Sequence, residues 1–145
     1  MTRRTFALLG AGLLLGACGT ISASTALHQW VVQSNFRNSM AILRNDAQHA
    51  AGALRAVSST RNDLHTVCAV LLVDTESANA SLPTPDSQTT ALLSDTYSEL
   101  GAGANECYVA ANNATVRTRA LVSLQRAAAT LSEATARIDG SIGGR

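Results

Sequence analysis

Phe36-Arg37-Asn38-Ser39-Met40-Ala41-Ile42-Leu43-Arg44-Asn45-Asp46-Ala47-Gln48-His49-Ala50-Ala51-Gly52-Ala53-Leu54-Arg55-Ala56-Val57 is the stretch from which the fold is read. Its apolar positions, Phe36, Met40, Leu43, Ala47, Ala50, Leu54 and Val57, alternate steps of four and three residues. That spacing keeps one face of a helix apolar, and it is incompatible with the two-residue period of a strand. Arg37, Arg44 and Asp46 fall off the stripe. Ser58 to Asp63 then reads as a turn, with Asn62 or Asp63 able to cap the next helix.

The same period recurs three more times. Leu64, Cys68, Leu71, Thr75 and Ala78 form a second stripe, which must stop before Leu82-Pro83-Thr84-Pro85 because a residue preceding proline disfavours the helical conformation. Pro85 suits the first turn of a third helix, with Thr84 as its cap and Asp86 near the positive end of its dipole. Leu93, Tyr97, Leu100, Ala104, Cys107 and Ala111 make the third stripe, in which Gly101 and Gly103 allow a bend or a close neighbour. Asn112-Asn113 interrupts it. Leu121, Leu124, Ala128, Leu131, Thr135 and Ile138 are the fourth, closed by Gly140 and succeeded by a loose Gly-rich tail over 141–145. Four amphipathic helices with short links predict an all-α, up-down-up-down four-helix bundle over 25–140.

Ahead of the bundle stands a different kind of segment. Arg3 and Arg4 open a basic start, an apolar run comes next, and Leu15-Gly16-Ala17 ends it immediately before Cys18. A basic start, a short apolar middle and small residues at a cut site are the parts of a secretory signal peptide. The Leu15-Gly16-Ala17-Cys18 run resembles the lipobox of bacterial lipoproteins. That resemblance implies removal of residues 1–17, a diacylglyceryl group on the Cys18 sulfur, and a lipidated tether over 18–24. Phe6 to Ala17 is far shorter than the ~20 residues a membrane-spanning helix needs. Thr2-Arg3-Arg4-Thr5-Phe6 also resembles a twin-arginine export signal, although paired arginines occur in general-export signals too. Two or more acyl chains hold a protein stably on a membrane, so the expected address is the extracytoplasmic face of the cell membrane.

Composition agrees with a small helical domain. The chain has 145 residues, and removal of the leader leaves 128, enough for one core. It contains no lysine, and without Arg3 and Arg4 it carries 9 arginines against 10 acidic residues, a charge of −1. Such a balance lacks the basic patch that nucleic acid requires. Aromatics are only 3% of the chain, so the core must be built mainly from Ala and Leu. With Cys18 assigned to lipid, Cys68 and Cys107 are an even pair in an oxidising compartment, and a disulfide between them is expected. The register of two antiparallel helices permits it if about five residues before Pro85 run extended along the axis, at ~3.3 Å each.

Sites for chemistry are few. His65 and Cys68 share a helix face, and a metal held by them with Cys107 would need both thiols reduced, against the compartment. A di-iron bundle needs Glu-x-x-His on two helices, and Glu76, Glu99, Glu106 and Glu133 have no such partner. Glu133 and Arg137 are spaced for a surface pair. There is no nucleophile elbow and no Cys-x-x-Cys-His haem run, and Gly10-Ala11-Gly12 lies inside the leader. Pro83-Thr84-Pro85 with Ser87, Thr89 and Thr90 reads as a rigid loop rather than a sugar acceptor. The segment from Asp63 to Tyr108 resembles small exported helical proteins of high-GC Gram-positive bacteria, a resemblance that implies the fold and the envelope address and no activity. The expectation is therefore a non-enzymatic, lipid-anchored envelope protein with no cofactor, acting through a protein partner. The alternative is a carrier of a lipid or other small apolar ligand, in a cavity near Gly101 and Gly103.

Overall fold

Ser22 opens the first helix by accepting a hydrogen bond from the Thr25 amide at 3.2 Å, one of the donors a helix start leaves unpaired. The computed structural model describes residues 22–143, and every regular element among them is helical. In chain order they are α1 (Ala23–Gln33), α2 (Phe36–Arg55), α3 (Arg61–Asn79), α4 (Ser87–Ala110) and α5 (Ala114–Gly143). Five helices stand where four were expected. The additional one is α1, whose buried face consists of Leu27 and Val31 alone, too short a repeat to register as a stripe. Asn35, in the left-handed conformation at φ 52°, separates α1 from α2, and asparagine tolerates that region better than most side chains. The tether expected over 18–24 is accordingly helical from Ala23, and its residues 18–21 lie outside the described residues.

The caps differ from the expected ones by a few residues. Thr60, not Asn62 or Asp63, caps α3, and Asp63 completes a capping box by accepting from the Thr60 amide at 2.8 Å. Asp86, not Thr84, caps α4 and accepts from the Thr89 amide at 3.0 Å. Pro85 thus lies just outside the helix. Thr84 instead closes the 82–86 loop, its amide donating to Thr90 Oγ1 and its hydroxyl to the Asp86 carbonyl. Asn113 Oδ1 accepts from the Val116 amide at the start of α5. At the far end, α5 runs through Gly140 to Gly143, so the loose tail expected from 141 is helical to 143, and 144–145 lie outside the described residues.

Alternating stripes pack the helices. α2 lies on α3, α3 on α4, α4 on α5 and α5 back on α2, while α1 rests on α2 and α5. Every expected core position of α3 is buried, and so are those of α2 except Val57, which falls beyond Arg55 and is 99% exposed. On α5 the buried face is Ala120, Leu124, Ala127, Leu131, Ala134 and Ile138. This is the expected stripe with Leu121, Ala128 and Thr135 each replaced by the alanine one position earlier. Leu121 is partly buried and packs against the core from the edge of this face.

Two sets of polar bonds fix the ends. At one end the Arg117 guanidinium donates to the carbonyls of Ala111, Ala56 and Ser59 at 2.7, 3.1 and 3.1 Å, tying the start of α5 to the α2–α3 turn and to the end of α4. The other end collects the start of α2, the end of α3, the start of α4 and the end of α5. There Trp30 Nε1 donates to the Ser81 carbonyl at 3.1 Å, Arg37 pairs with Asp139 at 2.8 Å, and Arg137 pairs with Asp86 at 3.2 Å. Arg137 therefore reaches across to α4 and does not pair with Glu133, because the Asp86 carboxylate and the Gln88 amide oxygen both accept from it. Trp30 also packs on Phe36, with ring centroids 5.3 Å apart.

The two glycines of α4 have opposite surroundings. A Cβ on Gly103 would lie 2.9 Å from Leu124 Cδ2 and 3.3 Å from the Leu124 amide nitrogen, whereas one on Gly101 would meet nothing within 4 Å. Gly101→Ala should stabilise the protein by about 0.5 to 1 kcal/mol through helix propensity. Gly103→Ala should destabilise it instead, because the buried Leu124 must shift to admit the added methyl group. Urea unfolding of the two variants checks the opposite signs.

Candidate functional site

The sequence-derived candidates divide into those the structure describes and those it does not. Arg3, Arg4, Leu15, Gly16, Ala17 and Cys18 lie outside the described residues. Cys68 on α3 and Cys107 on α4 are joined by a disulfide, with Cα atoms 5.8 Å apart and both residues fully buried. Their sulfurs are thus committed to each other. His65, one turn before Cys68, stacks face to face on Tyr108 with ring centroids 4.1 Å apart. Among the described residues no group of three or more His, Cys, Asp or Glu side chains is arranged to hold a metal ion. No described helix is long and apolar enough to cross a membrane.

Two of the glutamates singled out in the sequence have polar neighbours on α5. Glu99 accepts from the Thr130 hydroxyl at 3.3 Å, and Glu106 accepts from the Ser123 hydroxyl at 3.2 Å, with Arg119 3.9 Å away. They link α4 to α5. The hydroxyl of Thr89 is buried and donates to Asp86, and this bond is the main reason the Asp86 carboxyl is held below its usual range. Asp63 is lowered in the same way, first by the Thr60 amide and then by its hydroxyl.

One titratable contact escaped the sequence. Asp46 on α2 faces Asp74 on α3, and Asp46 Oδ2 is buried without a donor. Burial is the first cause that raises the Asp46 pKa, the neighbouring Asp74 carboxyl adds to it, and the charge of His49 opposes both. Each Asp sits beside a stripe residue, Ala47 or Thr75, so the signal lay at the flanks of two stripes whose pairing only the fold decides.

Grooves between the helices offer places where a ligand could rest. The space at Gly103 is filled by Leu124, so the cavity expected beside both glycines is absent at that position. Gly101 opens instead onto a groove of about 430 Å³ between α3 and α4, lined largely by polar residues such as Glu76, Asn79, Ser94 and Asn105. Tyr97 also lines it; the residue is 3% exposed, its hydroxyl has no partner, and burial pushes its pKa up. Another hollow, of about 480 Å³, sits at the Arg117 end beside Val57.

A groove with a mainly apolar lining runs between α2 and α5. It is open to solvent, holds about 360 Å³, and has the buried side chains of Leu100, Leu124 and Leu131 at its base. Ala47 and Ala51 on α2 and Ala128 on α5 form its walls, and their small side chains are the reason the seam is not filled. Arg44 and Arg55 stand on its rim, about three turns apart on one helix, and no carboxylate lines it. No family model, curated protein or solved structure matches the chain.

The Asp46–Asp74 contact makes a pH prediction. The raised folded-state pKa of Asp46 means that its protonated form is favoured by folding, so Asp46 contributes stability at low pH that is lost as pH rises through its folded pKa. Asp46→Asn keeps a donor facing Asp74 at every pH. It should raise the urea midpoint at neutral pH, and the gain over the parent chain should shrink as the medium is acidified.

Proposed function

We propose that this chain is a non-enzymatic, lipid-anchored protein of the cell envelope, held to the membrane through Cys18 and acting through contacts of its helical surface with another envelope protein. In this reading α2 to α5 form an up-down-up-down bundle and α1 is a foot laid across one end of it. The observation that carries the reading is the order of parts ahead of the fold: Arg3 and Arg4, an apolar run, and Leu15-Gly16-Ala17-Cys18. The position of Ser22 supports it. Only four residue steps separate Cys18 from the cap of α1, a reach of at most ~14 Å.

A tether that short would keep the end bearing α1, the 82–86 loop and the Arg37–Asp139 pair against the headgroups. The opposite end, with Arg117 and the fully exposed Val57, would then face outward. The balance of 9 arginines against 10 acidic residues after the leader fits anchoring by acyl chains rather than by a polybasic patch.

Fractionation of cells making the parent chain and a Cys18→Ala variant tests the proposal. The parent should sediment with membranes and yield an N-terminal peptide whose mass includes a diacylglyceryl group on Cys18. The variant should carry no such mass and keep its uncut leader. An unmodified Cys18 in the parent chain contradicts the proposal.

A further inference from the structure

The α2–α5 groove differs from the one at Gly101 in joining a leucine lining to arginines without a carboxylate partner, and from the hollow at Arg117, which shares Arg55, in holding a second such arginine, Arg44, and we propose that it binds a single-chain anionic amphiphile. The inference does not depend on whether Cys18 is acylated. Arg44 and Arg55 are 11 positions apart, which spaces them by ~16 Å along α2. Between them Ala47 and Ala51 face Ala128 across the seam, above Leu100, Leu124 and Leu131. The volume of about 360 Å³ lies at the small end of the range of ligand sites, suited to one chain and not to two.

Charge selects the head group and its place. Neither arginine forms an ion pair among the described residues: Arg44 donates to the neutral Thr135 hydroxyl at 2.9 Å, and Arg55 ends α2. Gln48, Gln125 and Ser132 complete the polar rim, so an anion there would meet donors and no competing carboxylate. Arg55 already lies against the negative end of the α2 dipole, which offsets part of its charge. Arg44 stands in mid-helix without that offset. The head group therefore sits at Arg44, and the chain runs along the alanines toward Arg55. A carboxylate and a phosphate monoanion or diester both satisfy a guanidinium, so a free fatty acid and a single-chain phospholipid share the required chemistry.

Photolabelling of the full chain with a diazirine-bearing dodecanoate tests the site. Label should appear on peptides from 44–55 and 124–132, and Arg44→Gln should reduce it about tenfold. Ala128→Leu extends a branched side chain into the groove from an exposed position, and should abolish the label while leaving the thermal midpoint unchanged or higher. Unlabelled dodecanoate and dodecanoyl lysophosphatidylglycerol should compete, and the one effective at lower concentration identifies the natural head group. Dodecyl maltoside should compete poorly. Equal competition by dodecyl maltoside, label spread away from the two peptides, or full labelling of a folded Ala128→Leu variant would each overturn the proposal.

Discussion

The bond between Cys68 and Cys107 is the constraint around which the fold is arranged. It joins the middle of α3 to the last turn of α4, across a sequence separation of 39, and it lies in the fully buried core. The two half-lengths it ties together are unequal. Eleven residues succeed Cys68 before α3 ends, whereas twenty precede Cys107 in α4, a difference of ~13 Å in helix length. Residues 80–86 span that difference, which is why the connection is a shaped segment with two prolines and a Thr84 clasp instead of a tight turn.

A covalent tie matters more here than in a bundle with large side chains. The buried set includes Ala47, Ala50, Ala51, Ala104, Ala110, Ala120, Ala127 and Ala134, each of which removes little apolar area from water. What small residues provide in return is proximity. α4 and α5 approach so closely at Gly103 that Leu124 occupies the place of a side chain. The same choice has a second consequence at the α2 seam, where Ala47, Ala51 and Ala128 leave a groove open above Leu100, Leu124 and Leu131. The close α4–α5 contact and the open α2–α5 groove are two results of one composition.

Much of this was legible in the sequence. The alternating three- and four-residue steps specified α2, α3 and α4 and most of their buried faces, because large apolar residues recur along one stripe, with Thr75, Thr89 and Thr96 the buried polar exceptions. The pattern misleads where side-chain size and helix length no longer discriminate. On α5, alanines and leucines occupy adjacent positions, so the expected stripe is displaced by one residue at three places, where packing on α4 chooses the alanines. α1 has only Leu27 and Val31 to bury, and its existence depends on contacts with α2 and α5. Caps slipped by two or three residues because Thr60, Asn62, Asp63, Thr84 and Asp86 all carry capping side chains. The rim arginines and the Asp46–Asp74 contact were out of reach for a different reason: both depend on which helices are neighbours and how they are rotated.

If small-residue packing assembles the helices and the disulfide restricts the unfolded chain, the two contributions are separable. Urea unfolding, monitored by far-UV circular dichroism on protein refolded with and without reductant, measures this directly. The same helix content is predicted before the transition in both forms. Reduction should cost about 3 to 4 kcal/mol, the value expected for opening a loop of this length. An unchanged midpoint in the reduced protein would contradict the central role given to the disulfide.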